Sequence, residues 1–81
     1  MKQSITQTVK RKVAEFLELD PSEISRSFSL VEDAAIEPID MGDLFTMLEK
    51  DFKVTLPEEE LEGIETVGDI IDIIEDALEE L

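Results

Sequence analysis

Apolar residues recur along the first segment at Ile5, Val9, Val13, Phe16 and Leu17, spacing that predicts a helix over about residues 3–18 with one side facing a core. Asp20-Pro21-Ser22-Glu23 predicts the end of that helix and one short turn, with Asp20 as N-cap and Pro21 at the first helical position. Residues 25–37 then form a long connection for so small a chain, with Phe28, Leu30, Val31 and Ile36 as its apolar anchors. A second helix is predicted from Pro38 to Phe52. Met41, Leu44, Phe45, Leu48 and Phe52 fall on one stripe of it, and Ile39, Asp43, Thr46 and Lys50 fall on the opposite side. Val54-Thr55-Leu56-Pro57 reads as extended, and residues 58–63 as an acidic helical turn stopped by Gly63. Thr66, with Asp69 three residues on, predicts a capped last helix. Its apolar face is Val67, Ile70, Ile71, Ile74, Ala77, Leu78 and Leu81, and its wet face is Asp69, Asp72, Asp76, Glu79 and Glu80. The expected fold is all-α: a single domain over residues 1–81 with three main helices, one short helix and a long loop between the first and second helices.

Charge adds a direction to this bundle. Residues 1–26 carry five basic and four acidic side chains, whereas residues 27–81 carry two basic and eighteen acidic ones. The net charge of −15 leaves no basic stripe for nucleic acid or for an anionic membrane, so suitable partners present Lys and Arg. A hydrophobic fraction of 42% argues against disorder despite that charge. No apolar run is long enough to span a bilayer or to serve as a secretory signal, so the expected location is cytoplasmic; a monomer is expected as well.

The chemistry the chain lacks narrows it further. It has no Cys and no His, which removes thiol nucleophiles, thiolate metal sites, the commonest general base and the commonest zinc ligand. Residues 69–80 are acid-rich, but isoleucines stand where a calcium loop needs oxygen ligands, so no metal site is expected. Paired carboxylates need a cleft to act as acid and base, and a bundle this small has little interior to form one. The chain is expected not to be an enzyme.

Four segments together resemble the acyl carrier protein family. Phe28-Ser29-Leu30-Val31-Glu32-Asp33 is similar to the family's loop, which ends in an apolar-Glu-Asp step, and Leu48-Glu49-Lys50-Asp51-Phe52 is similar to the end of its second helix. Val54-Thr55-Leu56-Pro57 followed by Glu58, Glu59 and Glu60 resembles its apolar-x-Ile-Pro-acidic segment, and Ile64-Glu65-Thr66-Val67 resembles the start of its last helix. The resemblance implies a carrier of acyl groups, in which a 4'-phosphopantetheine arm is held by Ser in a Gly-x-Asp-Ser-Leu motif. Here that register reads Ala35-Ile36-Glu37-Pro38-Ile39. Pro38 occupies the serine's position and has no hydroxyl, so no cofactor is expected there. Ser22, Ser25, Ser27 and Ser29 lie well upstream and are not expected to substitute for it.

The resemblance also implies docking to basic-surfaced enzymes of fatty-acid or polyketide-type metabolism through an acidic second helix. The matching positions are Glu37, Ile39, Asp40, Asp43, Thr46 and Glu49, flanked by Leu56 and Glu62. Lys50 stands where the family usually has an acid. Two other readings compete with this one: a general acidic helical adaptor for unrelated basic proteins, and a non-covalent binder of an acyl chain.

Overall fold

The computed structural model describes residues 4–79. Its first helix, α1 (Ile5–Leu17), starts where the Ser4 hydroxyl accepts the Gln7 N–H at 3.1 Å, and it buries Val9, Val13 and Ala14. It stops before the expected Asp20-Pro21 step. Glu18 turns left-handed at φ 60°, and the Leu19 N–H folds back to the Ala14 carbonyl at 2.8 Å. This is a C-terminal cap that usually takes glycine. A 3-10 turn, Pro21–Glu23, follows with the expected Asp20 cap, and the Glu23 carboxylate returns the bond by accepting the Asp20 N–H at 2.9 Å.

Helix α2 (Pro38–Phe52) has the predicted bounds, buries Leu44, Phe45 and Leu48, and half-buries Met41 and Phe52. The next segment is extended, with Val54 and Leu56 buried, and leads to α3 (Glu58–Leu61). Gly63 is not the stop it was expected to be. Glu62 ends α3 in a right-handed conformation, and no glycine among the described residues takes a positive φ. Helix α4 (Val67–Glu79) buries Val67, Ile70, Ile71 and Ile74 as predicted, and also Ile73. The expected positions Leu81 and Glu80 lie outside the described residues.

The long loop is held from both sides. Leu30 is fully buried, Ile24 is 3% exposed, and Phe28 and Ile36 pack partly against the core. Val31, expected as an anchor, is instead 53% exposed, because the turn over residues 30–33 swings it outward. The loop is stitched to the start of α4: Leu30 N–H donates to Glu65 carbonyl at 2.8 Å, Val67 N–H to Phe28 carbonyl at 3.0 Å and Gly68 N–H to Arg26 carbonyl at 2.8 Å. A Cβ on residue 68 would sit 3.0 Å from that Arg26 oxygen, so glycine is what permits the loop to lie so close. An isolated bridge between Ser29 and Thr66 is the one strand-like pairing among the described residues, and the architecture is the all-α bundle expected.

Side-chain ion pairs reinforce two of the joints. Lys12 meets Asp51 at 3.0 Å, linking α1 to the end of α2, and Arg26 meets Asp72 at 2.8 Å, linking the loop to α4. No helix is long and apolar enough to cross a membrane among the described residues.

Candidate functional site

The loop delivers the chain to α2 through a tight turn. Ser29 N–H donates to the Asp33 carboxylate at 2.8 Å, Glu32 N–H to the Ser29 hydroxyl at 2.9 Å, and Ile36 N–H to the Leu30 carbonyl at 3.0 Å. Ala35 sits between them at φ 50°, a left-handed conformation costing a non-glycine residue about 1–2 kcal/mol. Glu37 then takes the N-cap position without a side-chain cap bond, and Pro38 opens the helix. Proline suits this place because the N–H it lacks would have no intrahelical partner. Residues 34–43 contain neither Ser nor Thr.

Beyond Pro38, the outer face of α2 is open. Ile39 is 78% exposed, and Glu37, Asp40, Asp43 and Thr46 are exposed with it. The fold thus brings six of the eight predicted recognition residues to accessible positions: these five on α2 or its cap, and Glu62 just beyond α3. The other two serve the fold. Leu56 is only 4% exposed, so it does not flank the face as expected. Its place in the core follows from the extended segment turning it inward. Glu49 is half-buried, and its carboxylate accepts the Leu56 N–H at 2.8 Å, tying α2 to that segment.

A groove of about 370 Å³ runs between α2 and α3, lined by Pro38, Met41, Gly42, Phe45 and Leu61 with Glu58 and Glu62 on its α3 side. Gly42, Glu58 and Leu61 were not among the predicted site residues. A glycine in mid-helix was a signal available in the sequence; the approach of α3 to α2 is a tertiary fact that no local pattern carries. Among the described residues no group of acidic side chains is arranged to hold a metal ion.

This arrangement of three long helices, a short fourth and a loop-delivered acidic second helix has known counterparts. Residues 7–74 match the family described as the phosphopantetheine attachment site. The acyl carrier protein of Wolinella succinogenes is 36% identical over 72 residues, spanning 89% of this chain and 95% of that one. The chain belongs to the acyl carrier protein family. The acyl carrier protein of Clostridium acetobutylicum is 32% identical over 76 residues, covering 94% of this chain and 99% of the relative. Among solved structures, that of a putative acyl carrier protein from Mycobacterium tuberculosis superposes with a TM-score of 0.83, at 22% identity and covering 90% and 97% of the two chains. The acyl carrier protein of Enterococcus faecalis superposes at 0.77, also at 22% identity, covering 90% and 92%. These two establish the shared fold. Acyl carrier proteins are non-enzymatic carriers, so membership sets this chain apart from enzymes. The family's matched description makes a phosphopantetheine group the prosthetic group to test against residues 34–43.

Proposed function

We propose that this chain is a carrier-type docking protein that carries no phosphopantetheine arm at residue 38. It engages basic-surfaced enzymes of fatty-acid or polyketide-type metabolism through the acidic outer face of α2. The observation that carries the reading is Pro38 as the first residue of α2, which by the resemblance of the flanking segments takes the place of the family's attachment serine. Attachment forms a phosphodiester to a side-chain hydroxyl, and proline offers none, so the residues present do not fit the group. What supports retained docking is the set of residues left exposed around Pro38: Glu37, Ile39, Asp40, Asp43 and Thr46. A protein of this kind occupies carrier-binding surfaces without delivering cargo, which makes it a regulator, a competitor or a structural subunit of its partners.

Intact-mass measurement tests the chemical half of this reading. After incubation with coenzyme A and a broad-specificity phosphopantetheinyl transferase, the unaltered chain is expected to keep its mass. Pro38→Ser is expected to gain the arm in part, since Glu37 and Ala35 still depart from the motif. An adduct on the unaltered chain, at any of its serines, would contradict the reading.

A further inference from the structure

Gly42 is the feature of α2 that the fold does not explain. It lies inside a 15-residue helix, is exposed, has a negative φ, and nothing lies within 4 Å of where a Cβ would be. Glycine in a helix interior is unfavourable relative to alanine, and here neither a tight packing contact nor a turn calls for it. Gly68 makes the contrast, because there the missing Cβ admits the Arg26 carbonyl. At Gly42 the missing side chain leaves bare helix backbone facing outward, at the lip of the groove formed by Pro38, Met41, Phe45 and Leu61.

The neighbours of Gly42 extend this bare strip. Thr46, one turn on, is exposed and turns its hydroxyl back to the Gly42 carbonyl at 3.0 Å, so the hydroxyl is engaged within α2. Ile39, one turn before, is the most exposed large apolar residue among those described. Acids border the strip on both sides over its first two turns, Glu58 and Glu62 across the groove and Asp43 beyond Ile39 and Thr46. The exposed Lys50, one turn past Thr46 on that same side, ends the acidic border. A low apolar strip along a helix, edged by carboxylates, complements a helix with a small apolar ridge and Lys or Arg on both flanks. Packed helices lie about 8–10 Å apart, and a side chain at the crossing point sets that distance.

We infer that Gly42 is the crossing point at which a basic-flanked helix of the partner packs directly on the backbone of α2, and that its missing side chain selects for that close approach. The inference rests on the reading of α2 as the docking face. It separates two roles that usually coincide: Gly42 weakens the helix it sits in while strengthening the complex.

The test uses the whole chain and a synthetic helical peptide of about 18 residues, or five turns, with an Ala/Leu stripe and Lys/Arg on both flanks. Amide shifts of the isotope-labelled chain at low ionic strength are expected to move at Ile39, Gly42, Thr46 and Leu61. Gly42→Leu is expected to weaken binding at least about tenfold, although a leucine adds apolar surface, and its melting temperature should not fall. Gly42→Ala should bind with intermediate affinity and melt about 4–8 °C higher. The inference is overturned if Gly42→Leu binds as tightly as the unaltered chain or more tightly. It is also overturned if the shifts map to α4, if the peptide causes none, or if a proline-interrupted peptide of the same composition binds equally well. Asp40→Lys with Asp43→Lys separates the two levels of the account. Loss of binding there with no effect of Gly42→Leu removes only the close-approach inference, whereas charge reversals without effect remove the docking face itself.

Discussion

At the start of α4 the early amides all have acceptors. Val67 N–H goes to the Phe28 carbonyl, Gly68 N–H to Arg26, Asp69 N–H to the Thr66 hydroxyl at 3.2 Å, and Ile70 N–H to the Thr66 carbonyl at 3.3 Å. The Asp69 carboxylate in turn accepts the N–H groups of Glu65 and Thr66 at 3.0 and 3.1 Å. At the start of α2, by contrast, Pro38 has no N–H, the Glu37 side chain forms no cap, and the preceding residues include the strained Ala35. The same loop reaches both helices. It is sewn onto α4 and only delivers the chain to α2. The helix start that is fully bonded holds the fold together, while the start left open exposes an apolar side chain and acids. Ordinary packing and capping thus account for the first region, and the second is the surface on which the proposed docking rests.

The sharpest way to break this contrast is to truncate one isoleucine in each helix. Ile71 is fully buried, and Ile71→Ala is expected to cost about 2–5 kcal/mol in chemical denaturation, enough to unfold much of so small a domain. Ile39→Ala should change stability by no more than about 0.5 kcal/mol. Comparable losses from the two would mean that the start of α2 is also part of the core.

The caps give a smaller and pH-dependent version of the same test. Asp69→Ala should cost about 0.5–2 kcal/mol at neutral pH by removing the carboxylate half of the α4 capping box, whereas Glu37→Ala at α2 should be nearly neutral. Backbone N–H bonds from Glu65 and Thr66 hold the Asp69 carboxyl below its ordinary pKa. A lowered folded-state pKa means that the stabilisation is complete above the unfolded value of about 3.9 and is lost as pH falls through the folded one. The difference in melting temperature between the unaltered chain and Asp69→Ala should therefore narrow in acid. A difference that held constant into strong acid would show that the charge on Asp69 is not what caps the helix.

Much of this architecture is legible in the chain because it is periodic. The stripes of α1, α2 and α4, the start of α2 at Pro38 and the Thr66–Asp69 cap all rest on local spacing and local hydrogen bonding. What local pattern misread depends on contacts distant in sequence. Ile73 sits off the α4 stripe yet is 8% exposed, because it faces the side where Glu59 and Glu60 of α3 pass. Val31 and Leu56 exchanged their expected places: the loop turn exposes one and the extended segment buries the other. Glu18, Ala35 and Lys53 take left-handed conformations normally left to glycine, so composition gave no warning of them. At the candidate site, Ile39, Asp43 and Thr46 could be read from helical spacing and Glu37, Asp40 and Glu49 only from the family resemblance, while the groove wall from α3 could be read from neither.

The central claim is that recognition resides at the open start of α2 rather than in net charge spread over the molecule. The direct measurement is the association rate with a purified carrier-dependent acyl enzyme that binds the unaltered chain, followed over a salt series. Asp40→Lys with Asp43→Lys should slow association by about tenfold at low salt, and rates should converge as screening shortens to about 8 Å near physiological ionic strength. Asp76→Lys with Glu79→Lys introduces the same charge change on the exposed face of α4 and should alter the rate by no more than about twofold. Equal slowing by the two pairs would contradict the account, because the acidic surface as a whole, and not the second helix, would then be recruiting the partner.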